Sequence, residues 1–199
     1  MTVREGEVRA FVALYISEAA RQALTGAIAS LRAAIPPEIS RAIRWVDPKG
    51  IHLTLKFLGN IDSGLVEQVL DSMKQSARIS APFSLELSDL GVFPGRRAPR
   101  VLWAGIGGDL DALGHLQREL ESNLATQGFQ REERGFNPHL TIGRVRNGGS
   151  RDQGQRIVDA VASVHLEPTD PWRVDELHLM RSTLTPQGAL YDSLGAVSI

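Results

Sequence analysis

The chain contains no cysteine. That single absence excludes disulfides, thiolate zinc sites, iron–sulfur clusters and cysteine nucleophiles together. It also fits a reducing compartment, so a cytoplasmic protein is expected. Long apolar runs are missing too. Ala10–Ile16 is only strand-length, well short of the roughly 20 residues a membrane helix needs, and no membrane association is expected. The opening MTVREGEVRAFVALYI is too charged for a secretory leader. Neither sign of charge is in excess, the net value being −1. A protein that coats a long duplex is usually basic, whereas a short or terminal nucleotide needs only one local basic site. What remains is an ordinary globular composition, 42% hydrophobic and 23% charged, with enough apolar material for a sizeable core.

Hydrophobic periodicity divides the chain into intermixed strands and helices. Val8–Tyr15 reads as a buried strand, followed by a helix capped by Ser17 that carries Ala20, Leu24, Ile28 and Leu31 on one face and stops at Pro36-Pro37. Ile51–Leu58 alternates as a strand, and a helix from Ser63 turns Val66, Val69, Leu70 and Met73 inward. Phe83–Leu90 and Arg100–Ile106 read as strands joined by the loop GVFPGRRAP. Asp109 then caps a helix with a stripe of Leu110, Leu113, Leu116, Leu120 and Leu124, ended by Gly128. His139–Val145 is a strand, 152–164 a weaker helix, and Trp172–Arg181 and Leu190–Ile199 are closing strands around a turn with Pro186 and Gly188. There is no regular strand–helix alternation and no glycine fingerprint of a doubly wound sheet. The expected class is α+β with antiparallel sheets, in a single domain spanning 1–199.

One pattern stands above this background. Ile51-His52-Leu53-Thr54-Leu55 and Pro138-His139-Leu140-Thr141-Ile142 are near copies, 87 residues apart. With eight threonines in the chain, two of five histidines followed by Thr at the second position arise by chance about once in sixty. Alternation along a strand places His52, Thr54 and Lys56 on one face, with Leu53, Leu55 and Phe57 toward the core. His139 and Thr141 share a face in the same way, opposite Leu140 and Ile142. Two such strands side by side supply two imidazoles and two hydroxyls. That set suits a phosphodiester: one imidazole accepts the proton of an attacking water, the other donates to the leaving oxygen, and the hydroxyls hydrogen-bond the non-bridging oxygens. A half-exposed structural strand is the plainer reading of either copy alone. Metal binding is disfavoured, since Thr is a poor ligand and His115, His165 and His178 lack ligand-like spacing. No metal and no cofactor are expected.

At these residues the chain resembles the two-histidine (2H) phosphoesterase superfamily, and within it the RNA 2',3'-cyclic phosphodiesterases historically called 2'-5' RNA ligases. The resemblance runs through Arg9-Ala10-Phe11-Val12-Ala13, Arg44-Trp45-Val46, HLTLKFLG, GVFPGRRAPRVLWAGI, FNPHLTIGRV and a closing Leu179, Ser182, Gly188 and Tyr191. It implies a bilobal fold with pseudo-twofold symmetry, each lobe giving one motif strand to a central cleft, with the N- and C-terminal segments in the same lobe. It further implies a monomer that hydrolyses RNA 2',3'-cyclic phosphate termini to 2'-phosphates without a metal. Carried over by position, His52 is the general acid, His139 the general base, and Thr54, Thr141 and Arg144 bind the phosphate. Strict alternation would turn Arg144 away from His139, unless Gly143 permits a bulge. Lys56 either adds positive potential to the cleft or snorkels at its rim. Arg96, Arg97 and Arg100 form a solvated loop tip or contact RNA backbone, and Trp45 and Phe11 are expected in the core rather than stacked on a base. The alternatives are a small cyclic-nucleotide or ADP-ribose cyclic phosphodiesterase, a 2'-5' RNA ligase, and a non-enzymatic RNA-end binding module.

Overall fold

The computed structural model describes residues 4–95, 98–146, 150–185 and 188–199; Arg96, Arg97 and Pro186, named above, lie outside them. In chain order the elements are β1 (Glu7–Leu14), α1 (Glu18–Ala34), α2 (Pro37–Ser40), β2 (Ile43–Trp45), β3 (Leu53–Asp62), α3 (Val66–Arg78), β4 (Phe83–Phe93), β5 (Val101–Gly108), α4 (Leu110–Thr126), β6 (His139–Val145), α5 (Arg151–Ser163), β7 (Trp172–Val174), β8 (Glu176–Leu184) and β9 (Ala189–Ser198). Ser17 caps α1 as expected, its hydroxyl accepting from Ala20 N–H at 3.1 Å. Asp109 occupies the cap position of α4, but its carboxylate accepts from Ser84 N–H at 2.9 Å instead. It therefore ties the start of α4 to β4.

The strands form a path β7-β4-β5-β6-β3-β1-β8-β9, with β2 added to β6. All pairings are antiparallel. The path has a narrow waist: β3 and β6 share only the pair Leu53↔Leu140. Two four-stranded halves meet there. Each half begins with a motif strand at the waist and runs outward through a partner strand (β1 or β5) and two more. Helices α3 and α4 cover the half containing β3, β8 and β9, while α5 packs on β4 and against α1. The core runs through the waist: Leu53, Leu140, Leu24, Leu31, Leu102, Leu113, Leu116 and Leu120 are all essentially removed from solvent.

Three expectations about elements need correction. The stripe of α4 is buried from Leu113 to Leu124, but Leu110, the first residue of the helix, is 44% exposed. The segment read as one strand, Trp172–Arg181, breaks at Asp175: β7 pairs with β4 in one half and β8 with β1 in the other, so the chain changes halves there. The strand expected from Ile51 begins at Leu53, after a 3-10 turn at Pro48–Gly50. His52 thus stands at the entrance of β3, as His139 stands at the first residue of β6.

Candidate active site

The waist explains how two distant motifs meet. Because Leu53 lies opposite Leu140, their flanking residues point to the other face of the sheet, and across an antiparallel seam His52 falls beside Thr141 and His139 beside Thr54. All four side chains are brought to one face, and all four are half-buried. Each histidine is held in the same manner. His52 Nδ1 lies 2.8 Å from the carbonyl oxygen of Gly50, and His139 Nδ1 lies 2.8 Å from that of Asn137. A carbonyl can only accept, so each Nδ1 carries the proton and donates it. Nε2 of each neutral ring is then left as the reactive lone pair.

Beyond the threonines both motif strands carry a bulge at the same position. On β3, Ala13 pairs with Thr54 and the next residue of β1, Val12, pairs with Lys56, so Leu55 is the extra residue. On β6, Trp103 pairs with Thr141 and Leu102 with Gly143, so Ile142 is the extra residue. A bulge reverses the alternation that follows it. Arg144 is therefore returned to the face of His139 and Thr141, where it is exposed. Gly143 helps in a specific way: a Cβ there would press on Ile43 Cγ2 at 3.0 Å and on the Trp45 ring at 3.3 Å.

The same device overturns the expectation for Lys56. Turned to the opposite face, it is 6% exposed, and Nζ donates to Glu121 Oε2 at 2.8 Å and to the Gln130 carbonyl at 2.6 Å. It neither lines the site nor snorkels at its rim; it joins β3 to α4 and to the segment after it. Phe57, expected in the core, takes its place on the site face and is 52% exposed. It stands at the position equivalent to Arg144, with the Arg9 guanidinium 5.8 Å from its ring centroid. Periodicity missed Phe57 because nothing in HLTLKF marks the bulge.

An aromatic bed supports the imidazoles. Phe11, wholly buried, stacks beneath His52 at 4.6 Å, and Tyr191 meets the same ring edge-on at 4.8 Å. Phe93 meets His139 edge-on at 5.1 Å and stacks on Trp103 at 5.0 Å. Phe11, Ala13, Met180 and Tyr191 form a small apolar cluster separate from the main core. Phe11 is thus packing, as expected, but packing for His52. Trp45 is half-buried against the main core, with the Arg32 guanidinium 5.5 Å from its ring. Burial pushes the His52 pKa below the ordinary 6.5; the Gly50 carbonyl opposes this and the nearby positive charge of Arg144 reinforces it. Burial raises the Tyr191 hydroxyl, against the pull of Arg144 and Arg9. Arg100 is exposed at the start of β5. Among the described residues, no three His, Asp or Glu side chains converge in a way that could hold a metal ion, and no helix is long and apolar enough to cross a membrane.

The sequence profile of the 2'-5' RNA ligase superfamily matches residues 17–185. A protein of Methanothermobacter thermautotrophicus, named RNA 2',3'-cyclic phosphodiesterase, is 32% identical over 188 residues, covering 94% of this chain and 97% of its own. The solved structure of TT0787 of Thermus thermophilus superposes with a TM-score of 0.75 at 27% identity, covering 96% of this chain and 97% of its own. Escherichia coli LigT complexed with 3'-AMP superposes at 0.69 with 26% identity, covering 97% and 98%. The profile spans most of the chain, the identity to the archaeal relative holds nearly end to end, and the same α+β architecture recurs in the solved relatives: this chain belongs to the 2'-5' RNA ligase superfamily.

Proposed function

We propose that the protein hydrolyses RNA 2',3'-cyclic phosphate ends to 2'-phosphates, with His52 and His139 as its acid–base pair and no metal. The observation that carries this reading is the matched anchoring of the two rings. Each Nδ1–H is spent on a main-chain carbonyl two residues back, which leaves two Nε2 atoms on one face for proton transfer. In the reaction, His139 Nε2 accepts a proton from water as its oxygen bonds to phosphorus. The bond from phosphorus to the ribose 3' oxygen breaks, and His52 delivers a proton to that oxygen. The products are a 2'-phosphate and a free 3'-hydroxyl. Thr54, Thr141 and Arg144 hold the non-bridging oxygens, where negative charge gathers, and the Phe57 ring offers a stacking surface for the terminal base.

The environment of His52 refines this scheme. Burial and Arg144 keep the unliganded ring neutral near pH 7, a state suited to a base. To serve as acid it must gain a proton when the phosphate brings negative charge beside it, which raises its pKa. The names of the relatives and the LigT complex with 3'-AMP support a nucleotide substrate. The same reading takes the protein as a cytoplasmic monomer. Ligation through a 2'-5' bond is the second reading, favoured by the superfamily's name; it uses the same proton transfers, with a ribose 5'-hydroxyl attacking phosphorus in place of water and the 3' oxygen again leaving. The test is incubation with EDTA and an oligonucleotide ending in a 2',3'-cyclic phosphate. Turnover to the 2'-phosphate is expected; no turnover refutes the hydrolytic reading, and a 3'-phosphate product reverses the leaving-group assignment.

A further inference from the structure

Arg44 of β2 lies directly opposite Arg144 of β6. Residues so paired point to the same face with Cβ atoms about 4.5–5.5 Å apart, and like charges there destabilise the pair. Both side chains are exposed. Among the described residues neither guanidinium has a carboxylate within 4.0 Å, whereas Arg21, Arg156, Arg173 and Arg181 each reach one. β2 is only three residues long, so the repulsion falls on an element with few ladder bonds to resist it. In a chain of net charge −1, two uncompensated cations are thus held together on the face that carries His52 and His139.

Such a pair is relieved by anions, and guanidinium groups grip phosphate oxygens in bidentate fashion. Mutual repulsion favours separated heads, which suits two neighbouring phosphates better than one. The two arginines are also not equivalent. The charge of Arg144 acts on both His52 and Tyr191, which puts it at the reacting centre, and Arg44 flanks it from the neighbouring strand β2. We propose that Arg44 binds the phosphodiester next to the terminal cyclic phosphate, so that the protein selects an RNA chain end over a free nucleoside 2',3'-cyclic phosphate. This rests on the hydrolytic reading above and adds a specificity-determining residue to it.

The test compares kcat/KM on a nucleoside 2',3'-cyclic phosphate with kcat/KM on a trinucleotide ending in the same group. Arg44→Gln should lower the ratio of trinucleotide to mononucleotide by about tenfold to a hundredfold, the value of a charged hydrogen-bonded contact. The loss should fall mainly on KM, with Arg44→Lys intermediate. A second measurement reads binding alone: the affinity for a trinucleotide ending in a 2'-phosphate, followed against salt. Its logarithmic slope should shrink by about 0.7 in Arg44→Gln, one single-strand phosphate contact. An equal loss on both substrates would place Arg44 on the reacting phosphate, and an unmoved ratio and slope would leave it merely solvated; either result overturns the proposal. If the wild-type protein turns over neither substrate, the hydrolytic reading fails, and the salt slope still decides the role of Arg44.

Discussion

At the scale of single residues, the two imidazoles share one anchoring geometry and differ in surroundings. His52 rests on a buried phenyl ring and within the field of Arg144; His139 has an edge-on contact with Phe93. Replacing either with Ala should cost about 10²–10⁴ in kcat, the usual worth of a positioned acid or base. Thr54→Ala and Thr141→Ala should cost less, and circular dichroism should show an intact fold in all four. The pH profile separates the roles. A group that must be protonated loses activity as pH rises through its pKa, so with His52 as acid, kcat/KM falls through a midpoint below 6.5, since kcat/KM reports the free protein. The limb in kcat should lie at higher pH, because the bound phosphate's charge favours the protonated ring. If kcat/KM instead rises through the low midpoint, His52 is the base and the two roles exchange. The sequence disclosed the residues but not this bias, which comes from Phe11 and Arg144, 41 positions before His52 and 92 after it.

At the scale of elements, alternation predicted side-chain facing correctly through Leu55 and Ile142 and failed from the next residue on, at Lys56 in one strand and at Arg144 in the other. The bulges at Leu55 and Ile142 depend on how each motif strand meets its partner, which is not written in the strand's own residues. Gly143 hinted at one of them; the Leu55 bulge had no local signal. Lys56 shows the consequence, since it is a buried tether and not a site residue. Lys56→Met should leave the half-buried Glu121 carboxylate without its ion-pair partner, at about 3 kcal/mol. For a chain of this size that is a fall of roughly 6–12 °C in Tm, with kcat/KM at 25 °C within about threefold. Adding Glu121→Leu should recover much of the loss, because a buried ion pair replaced on both sides is often near neutral. If Lys56→Met abolishes turnover in a fully folded protein, Lys56 belongs to the chemistry after all. The short β2 was likewise invisible to periodicity, three residues being too few to show a period. Yet it is the strand that sets Arg44 against Arg144.

At the scale of the whole molecule, two histidines withdrawn from water, His178 buried and His52 half-buried, give folding a pH dependence whose sign is fixed. Burial pushes both His52 and His178 below the ordinary 6.5, and for His178 the carboxylate of Glu176 only partly offsets it. The unfolded chain therefore binds protons near pH 6.5 that the folded chain refuses. Stability is full above that value and declines as pH falls through the window beneath it. Urea unfolding at pH 7.5 and 5.5 should show a lower midpoint at the acid value, and His178→Gln should reduce the difference. A midpoint that rises on acidification would contradict the assigned directions. The α+β class and most elements were legible from periodicity, because the amphipathic stripes of α1, α3 and α4 are long. The crossing at Asp175 was not, since a change of sheet halves leaves the hydrophobic pattern unbroken.

The pairing of Leu53 with Leu140 has a mechanical meaning. Where the two half-sheets share a single ladder pair, the histidines sit beside the join, as at the pivot of a caliper rather than at its tips. A small change of angle at Leu53 and Leu140 would displace the outer strands β7 and β9 far more than the two Nε2 atoms, which lie next to the waist. Changing the Leu53 or Leu140 side chain by a methylene should therefore shift the His52–His139 spacing while leaving both rings and their Nδ1 anchors in place.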